Sequence, residues 1–444
     1  MKSLGKFEVL NAERYYDDFA GVRGHDPCVI YAPRNSEECA EILRTLSAAR
    51  QACVVQGGRT GLAGGARTQK GEVVLSTERL RKSVEIDEKS GVMRVGAGNT
   101  LEEAQDAATE AGWMLGADLG ARGSATIGGM IATNAGGPLA VRYGTFRQQV
   151  LGVEAVLADG TIIDRMTGLW KDNTGYNFPQ ILMGSEGTLG IITAAVLRLH
   201  APMHQQVAAL CTCEHIDAAL EFLPRVKRRF GPLLQACEFM IAPLLEMSAS
   251  CRAVEFPFAN SASCYLLIEI GSSLEFDLQE VLYDTLSGGL EDGLLTDVII
   301  SQSEKDRLDF WQFREGCNEA LDRQCAPLTS LDLSLPVSAI PEFLAKASAM
   351  VGPDKSAHAF GHLGDGNIHY IVSGPRQQDL VEPLFQLTRK LGGAISAEHG
   401  IGVDKARYLH ICRSAEEIAA MRRIKDALDP YGILNPGRIL QLPS

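Results

Sequence analysis

The stretch Gln56-Gly57-Gly58-Arg59-Thr60-Gly61-Leu62 decides the fold of the first half of this 444-residue chain. It directly follows the apolar segment CVVQ at 53–56, which is typical of a β-strand. Consecutive glycines allow successive backbone N–H groups to point to one side, and such a concave arrangement binds anions. Thr60 adds a hydroxyl donor. The stretch therefore predicts a loop that holds a pyrophosphate after a strand.

Two further glycine-dense segments, at 119–137 and 183–193, lie next to strand-like runs in the same way. An ordinary tight turn explains one glycine cluster as well as a ligand loop does, but three clusters favour a cofactor cradle. The chain has neither the G-x-G-x-x-G pattern of Rossmann folds nor the G-x-x-x-x-G-K-[ST] pattern of P-loop proteins. The sequence therefore predicts a dinucleotide-binding fold of another type.

From Pro33 to about Leu199 the chain alternates short β-rich segments with helical ones, which indicates an α+β arrangement. Ser36 is expected to cap a helix, and Thr100 opens a capping box with Glu103 before an amphipathic helix to about Met114. After residue 203 the glycine density drops and the helical patterns lengthen. We place a domain boundary there.

The second half contains strands such as CYLLIEIG at 264–271, and it closes with a capping box at Ser414 and Glu417. Apolar residues then repeat at helical spacing as far as Leu428, which indicates a packed C-terminal helix.

Charge and cysteine usage exclude several classes of protein. The net charge of -13 argues against nucleic acid as a partner, because phosphate backbones require a surplus of Lys and Arg. The eleven cysteines include no C-x-x-C pair and are interpreted as free buried thiols, not as ligands of an iron-sulfur cluster. The start of the chain has no apolar signal core, and no apolar run is long enough to span a membrane. We expect a cytoplasmic protein without a membrane anchor.

Histidines concentrate in the strings GHLGDGNIHY at 361–370 and SAEHGIG at 396–402. If Asp365-Gly366 forms a two-residue turn, His362 faces His369 across a hairpin, so that both imidazoles reach one ion. Glu398 would add a carboxylate and leave open positions for a substrate. A hydrogen-bonded histidine pair without metal explains the first string equally well, and spacing alone leaves both interpretations open.

These motifs together resemble the FAD-linked D-2-hydroxyacid dehydrogenases, a group of the vanillyl-alcohol oxidase superfamily that contains D-lactate, glycolate and D-2-hydroxyglutarate dehydrogenases. The glycine segments carry the FAD-binding part of the resemblance, together with RYG at 142–144, VLADG at 156–160 and KDNTGYN at 171–177. The strings GHLGDGN-x-H and SAEHG-x-G carry the part that concerns the substrate side.

The resemblance implies FAD, bound without a covalent link because the first loop has no histidine. Residues 56–62 would hold the pyrophosphate, Ile191 would contact the adenine or ribose, and Asn435 would lie beside the flavin ring. A plain helix-ending turn also explains the Asn435 motif. The residues implied to line the rest of the cofactor are Leu119, Gly123, Ser124, Ile127, Gly128, Gly129, Thr133, Asn134 and Gly137.

The resemblance also implies a metal and a base. His362, His369 and Glu398 would bind a divalent ion, Zn²⁺ or alternatively Mn²⁺. His399 would take the hydroxyl proton, since imidazole titrates near working pH; a structural role in a hinge is its alternative.

Arg314 would clamp the substrate carboxylate, with Asn318 one turn later on the same helix face. Its alternative is a surface salt bridge with Glu315 or Asp322.

Four positions depart from the family pattern. Ser330 stands where relatives acting on five-carbon diacids have lysine, Asn318 replaces a threonine and Ile371 replaces an asparagine. Arg438 stands where lysine is usual. The first three withdraw 2-hydroxyglutarate as the straightforward substrate.

The combined prediction is an α+β protein with three parts. Residues 1–203 form a two-subdomain FAD-binding domain of vanillyl-alcohol oxidase type, 204–413 a substrate or cap domain with an antiparallel sheet and the metal site, and 414–444 a tail that returns to the first domain. It would oxidise a small D-2-hydroxy acid and pass electrons to an electron-transfer flavoprotein, a quinone or a cytochrome. A homodimer is the general default.

Two alternatives remain at this point. The first is a metal-independent FAD oxidase of an alcohol that uses O₂, and the second is a non-catalytic FAD-binding subunit that relays electrons.

Overall fold

A computed structural model describes residues 13–442 of the chain except 20, 28, 253, 354 and 375–377. The chain divides into two compact units. Unit 1 comprises Met1–Gly137, Tyr143–Pro202 and Glu398–Ser444, and unit 2 comprises Pro138–Arg142 and Met203–Ala397. Packing thus places residues 398–413 with unit 1, whereas the sequence grouped them with the substrate domain. The assignment of functions to domains stays a prediction.

The strands of unit 1 form two sheets. Their bounds are β1 Ile30–Tyr31, β2 Cys53–Gln56, β3 Val73–Ser76, β4 Glu85–Asp87, β5 Val92–Gly96, β6 Met114–Leu115, β7 Val150–Val156, β8 Ile162–Asp164 and β9 Ile191–His200. A parallel sheet has the order β1-β3-β2, and a second, antiparallel sheet has the order β4-β5-β9-β7-β8 with β6 paired to β9. Each sheet has its own hydrophobic cluster, which gives the two subdomains that the sequence predicted.

Helices flank these sheets. Their bounds are α1 Ser36–Ala49, α2 Leu101–Glu110, α3 Ile127–Thr133, α4 Ala140–Tyr143, which runs on from unit 2, α5 Phe146–Gln149 and α6 Phe178–Leu182. The strand CVVQ is confirmed, and so is the capping box of Thr100 and Glu103.

Two predicted helix boundaries in unit 1 are wrong. The cap of α1 is Asn35, whose side chain accepts the N–H of Glu38, because Asn35 is the residue with extended backbone. The helix α2 ends at Glu110, since Gly112 adopts a left-handed φ of 73° and Met114 already pairs in a strand.

Unit 2 contains an antiparallel sheet of the order β13-β10-β12-β11-β15-β16-β14. Its strands are β10 Gln205–Cys213, β11 Leu234–Ile241, β12 Cys264–Ser272, β13 Asp297–Ile300, β14 Leu328–Ser334, β15 Ala357–His362 and β16 Asn367–Ser373. Its helices are α7 Ile216–Phe230, α8 Leu244–Arg252, α9 Leu278–Glu291, α10 Glu304–Cys325, α11 Ile340–Val351 and α12 Gln378–Lys390.

One face of this sheet packs against α8 and α10. Leu210, Leu267 and Phe360 from three strands meet Phe313 and Leu321 of α10 in a single core cluster. The strand predicted at 264–271 is therefore confirmed as a central strand of the antiparallel sheet. His362 lies two residues after Phe360 on β15 and therefore on the same face of the sheet as this cluster.

The chain ends in unit 1 with α13 Leu409–Cys412 and α14 Ala415–Leu428. Ser414 caps α14 as predicted, but no residue of α14 is buried and Ile424 is 45% exposed. The prediction of a packed C-terminal helix is wrong, since helical spacing of apolar residues does not by itself guarantee a covering partner.

Two other predictions bear on the described residues. The described cysteines are unpaired and mostly buried, as predicted. Among residues 13–442, gaps aside, no helix is both long and apolar enough to cross a membrane. Residues 1–12, which belong to the chain start discussed above, lie outside the description.

Candidate functional site

The first glycine loop leaves β2 and lies against the second loop within unit 1. A Cβ on Gly57 would come within 2.5 Å of the Thr126 hydroxyl oxygen, and one on Gly58 within 1.9 Å of the Ser124 carbonyl oxygen. Only glycine permits this approach. Gly61, in contrast, has open space where a Cβ would point. The two predicted loops thus form one surface on which backbone groups stand close together.

Arg59 is the charged residue of this loop. Its backbone adopts a left-handed φ of 58°, and its guanidinium lies 5.0 Å from the ring centroid of Tyr15. Burial lowers the pKa of Arg59, and its Nη1 atom is buried without a hydrogen-bond partner in the part of the chain that the structure describes. A half-buried arginine with an unsatisfied Nη1 donor fits a phosphate-bearing ligand.

The second loop ends in α3, which Thr126 caps by accepting the N–H of Gly129. Gly128 packs against Ala97, where a Cβ would lie 2.7 Å from the Ala97 Cβ. Asn134 ends the helix with a left-handed φ of 52°, and its side-chain oxygen accepts the N–H of Arg147. Glycine and asparagine are therefore required here by close packing and by the helix end.

The remaining residues predicted to line FAD fall at several places in unit 1. Ile191 begins β9 with its side chain 1% exposed in a core cluster, so only its backbone is available to a ligand. Gln56 ties the first loop to the carbonyls of Tyr15 and Ala66. The loop positions are Thr60, Leu62, Leu119, Gly123, Ser124 and Gly137, and the helix α3 positions are Ile127, Gly129 and Thr133.

Asn435 bridges two parts of unit 1. Its side-chain oxygen accepts the N–H of Val55 in β2 at 2.6 Å, and its amide nitrogen donates to the carbonyl of Glu186 at 2.5 Å. It also adopts a left-handed φ of 44°. Arg438, three residues later, forms a buried ion pair with Glu72. The segment from Asn435 to Arg438 is therefore held in place by side-chain hydrogen bonds and an ion pair as well as by its turn.

Glu186 was not singled out by its sequence. Its carboxylate accepts the backbone N–H groups of Ile401 at 2.7 Å and Gly402 at 2.8 Å. Burial raises the pKa of this carboxyl, while the two N–H bonds act in the opposite direction. A charged residue inside the glycine motif GSEG was the available sequence signal, and its left-handed φ of 50° is seen only in the structure.

The predicted pairing of the histidine hairpin in unit 2 is wrong. His362 pairs with Asn367 in the ladder, and His369 pairs with Phe360 on one side and with Asp332 of β14 on the other. The turn is longer than two residues because the N–H groups of Asp365 and Gly366 both donate to the carbonyl of His362. The predicted two-residue turn, Asp365-Gly366, does not include these two hydrogen bonds to the His362 carbonyl.

The two histidines nevertheless come together on one sheet face. A ring nitrogen of His362 and one of His369 lie within 4.8 Å of each other. Their ring planes are 78° apart with centroids separated by 5.8 Å, which is an edge-on and not a stacked arrangement.

A carboxylate backs each of these histidines in unit 2. His362 Nδ1 lies 2.8 Å from Glu238 Oε1, and His369 Nδ1 lies 3.9 Å from Asp332 Oδ1. With Glu238 as acceptor, the proton of His362 resides on Nδ1. This is how carboxylates orient metal-binding imidazoles.

Arg314 shares the same carboxylate. Its Nε donates to Glu238 Oε2 at 2.9 Å and its guanidinium lies 4.7 Å from the Phe360 ring centroid. Burial would raise the pKa of Glu238, but its interactions with His362 and Arg314 outweigh burial and lower it. The alternative partners Glu315 and Asp322 are replaced by a residue 76 positions away, which sequence spacing could not indicate.

Glu398 and His399 begin the last segment of unit 1, directly after Ala397 of unit 2. Within unit 1, Glu398 Oε1 accepts the N–H of Gly137 at 2.8 Å. Within unit 2, the N–H of Ala397 donates to Asp332 Oδ2 at 3.1 Å. The chain on either side of this junction is therefore fixed by hydrogen bonds within its own unit.

Three of the four positions that depart from the family pattern, Ser330, Asn318 and Ile371, lie in unit 2. Ser330 pairs directly with Ile371, which is 2% exposed, whereas Ser330 is exposed. Asn318 is exposed on α10, one turn after Arg314. None of the three carries a charge.

Two protein families match large parts of the chain. The family described as "FAD linked oxidases, C-terminal domain" matches residues 202–439, more than half of the chain. The chain belongs to the FAD-linked oxidase family. A second match, to the family described as "FAD binding domain", covers residues 27–165. These matches confirm the superfamily and the α+β class predicted from the motifs.

Relatives of known name are similar over nearly the full length. "D-2-hydroxyglutarate dehydrogenase" from Xanthomonas citri pv. viticola is 38% identical, covering 98% of this chain and 94% of the relative. "D-2-hydroxyglutarate dehydrogenase, mitochondrial" from Arabidopsis thaliana is also 38% identical and covers 92% of this chain and 74% of the relative. The predicted membership of the FAD-linked D-2-hydroxyacid dehydrogenases is therefore confirmed.

A solved structure supports the fold. The 4-ethylphenol oxidase from Gulosibacter chungangensis superimposes with a TM-score of 0.74 at 18% identity, covering 99% of this chain and 95% of that one. At this identity the likeness shows the fold only.

Proposed function

We propose that this member of the FAD-linked oxidase family is a metal-assisted dehydrogenase that oxidises a D-2-hydroxy acid to the 2-oxo acid. The observation that carries the proposal is the His362–His369 pair, with a carboxylate behind each ring. Imidazoles with a carboxylate beside the ring are typical of metal sites. The names of the relatives supply the substrate class.

The residues of unit 1 fit FAD held by backbone groups and by Arg59. The loop packs against the second loop at Gly57 and Gly58 but is open where a Cβ of Gly61 would point, and we place the diphosphate on that side. Bound FAD would accept the hydride from the substrate carbon. With no histidine between residues 56 and 62, the cofactor is expected to dissociate without bond cleavage.

Arg59→Met is expected to weaken FAD binding about 10- to 100-fold, because a charge-assisted hydrogen bond is worth about 1.5–3 kcal/mol. FAD affinity is measured by titrating the apoprotein and following flavin fluorescence. Arg34→Met removes an exposed arginine of unit 1 and serves as the control. Equal FAD affinity in the Arg59 variant and the control would rule out an ionic role for Arg59.

The donor set His362, His369 and Glu398 suits Zn²⁺ or Mn²⁺, since neutral imidazoles and a carboxylate are ligands of both. A bound ion would acidify the substrate hydroxyl. Glu238 orients His362 by accepting a hydrogen bond from its Nδ1–H, and Arg314 donates a hydrogen bond that holds Glu238 in place. His399 would take the hydroxyl proton of the substrate. Arg314 would hold the substrate carboxylate.

The neutral positions Ser330, Asn318 and Ile371 favour a substrate whose distal end carries no second carboxylate. The alternative substrate is D-2-hydroxyglutarate, for which the two relatives above are named. For electron transfer, an electron-transfer flavoprotein, a quinone or a cytochrome is the expected acceptor, as the family resemblance implies. A cytoplasmic location belongs to the same proposal.

Anaerobic mixing of the yellow protein with D-lactate, D-malate, D-2-hydroxyglutarate and longer D-2-hydroxy acids is expected to bleach the flavin, whereas the L-enantiomers leave it oxidised. Stopped-flow absorbance gives the rate for each acid, and monocarboxylates are expected to react fastest. Bleaching by none of the acids contradicts the proposal and favours the electron-relay alternative. Bleaching by a simple alcohol in the presence of a chelator favours the metal-independent oxidase.

A further inference from the structure

Glu186 connects two segments of unit 1 that are far apart in sequence. Each oxygen of its carboxylate accepts one backbone N–H, Oε1 from Ile401 at 2.7 Å and Oε2 from Gly402 at 2.8 Å. The carboxylate therefore fixes both the position and the direction of the backbone at 401–402.

The backbone of Glu186 is itself held in an unfavourable conformation. Its φ of 50° is left-handed, which non-glycine residues adopt only when the surroundings enforce it. Its N–H donates to the carbonyl of Ala132 at 2.8 Å, and its carbonyl accepts the Asn435 amide at 2.5 Å. The strain is thus maintained by contacts that aim the side chain at residues 401–402.

The segment Glu398–Gly402 is shaped to receive this side chain. Gly400 has a φ of 75°, and a Cβ there would lie 2.7 Å from Glu186 Oε1. Gly402 has a φ of 52°, and a Cβ there would lie 2.0 Å from the Ala63 carbonyl oxygen. Both glycines permit the segment to approach Glu186 and the first glycine loop without collision.

A continuous set of hydrogen bonds leads from the cofactor loop to this segment. Val55, two residues before Gly57, donates its N–H to Asn435 at 2.6 Å, and Asn435 donates to Glu186. Glu186 then accepts from Ile401 and Gly402. The strand before the first glycine loop is therefore linked to the segment that contains His399 through Asn435 and Glu186 in turn.

We propose that Glu186 is a positioning residue that holds His399 in the orientation needed for proton removal. The proposal rests on the proposed function, in which His399 is the base. Glu186 does not itself contact the reacting atoms; it acts through the backbone of Ile401 and Gly402. A displacement of about 1 Å at a catalytic group is enough to cost about 100-fold in rate.

Glu186→Gln replaces one acceptor oxygen by an amide donor, which cannot accept a backbone N–H. We expect the flavin reduction rate at saturating substrate to fall about 10- to 100-fold with FAD retained and with little change in KM. Hydrogen–deuterium exchange of the peptide spanning 398–404 is expected to accelerate. Asp87→Asn is the matched control, since Asp87 also accepts two backbone N–H groups but at an exposed turn of unit 1.

A double variant separates positioning from general structural loss. In the His399→Asn background, adding Glu186→Gln is expected to lower the remaining rate by less than about twofold, because coupled residues are non-additive. An equal fall in both backgrounds, or unchanged exchange at 398–404 in Glu186→Gln, overturns the proposal. If Glu186→Gln does not retain FAD, Glu186→Asp, which keeps the charge but shortens the reach, is judged by the same exchange measurement.

The wild-type protein, measured in parallel, distinguishes the two proposals. Absence of bleaching in the wild type refutes the proposed function, whereas bleaching in the wild type and at an equal rate in Glu186→Gln refutes the positioning role alone.

Discussion

Replacing His399 by Asn is expected to lower the rate of flavin reduction by about 10²- to 10⁴-fold while FAD stays bound. The magnitude is that of a general base positioned at the proton it removes. Asparagine keeps a polar side chain of similar reach, but it does not accept a proton near neutral pH. Anaerobic stopped-flow measurement at saturating 2-hydroxy acid gives the rate, and the visible flavin spectrum of the purified variant reports bound cofactor.

His410→Asn is the matched control for this experiment. His410 is an exposed histidine of unit 1 on α13, and its Nδ1 lies against the carbonyl of Arg407. The control variant is expected to reduce flavin at the wild-type rate. If the His399 variant also reduces flavin at nearly that rate, His399 is not the base and its role is structural.

Removal of the metal with a chelator is expected to lower flavin reduction about 100-fold or more, and Zn²⁺ or Mn²⁺ is expected to restore it. A Lewis acid at the substrate oxygen supplies several kcal/mol, and about 1.4 kcal/mol corresponds to a factor of ten. His369→Gln is expected to hold no metal while retaining FAD. Metal content is measured by elemental analysis of the purified protein, alongside the rate of flavin bleaching.

Two further variants test the metal prediction. One is expected to weaken metal binding in part, and the other is expected to have no effect. Glu238→Gln leaves the His362 ring in place but removes the charge behind it, and we expect metal affinity to fall about 10- to 100-fold. His215→Gln, at the exposed N-terminus of α7, is expected to change neither metal content nor rate. Full activity in a metal-free wild-type protein would contradict the prediction and support the metal-independent oxidase.

Much of the cofactor half could be predicted because its signals are local. The strand at 53–56, the glycine loop after it and the capping box at Thr100 each depend on residues within a few positions of one another. Glycines and helix-capping residues indicate such local structure directly, because only a few residue types fit these backbone positions. The errors at Ser36 and Met114 concern only where a helix begins or ends.

The polar site of unit 2 was predicted less completely because its partners come from distant strands. His362 and His369 were identified from one string, but their register was wrong, since the turn is set by hydrogen bonds to the His362 carbonyl. Glu238 lies 124 residues from His362 and reaches it only because β11 pairs with β15. No spacing rule relates two such positions.

The sequence by itself determined the family, the glycine cradle and the identity of the histidines, because these depend on residue type and short-range geometry. Tertiary structure alone decided what stands behind them: Glu238 under His362 and Arg314, and Glu186 under the backbone of 401–402. A carboxylate's role depends on which strand or turn is brought beside it, and that is settled by packing of the whole unit. The fold therefore decides how the side chains of the site are oriented, whereas their residue types, which the sequence shows, decide which chemistry they can perform.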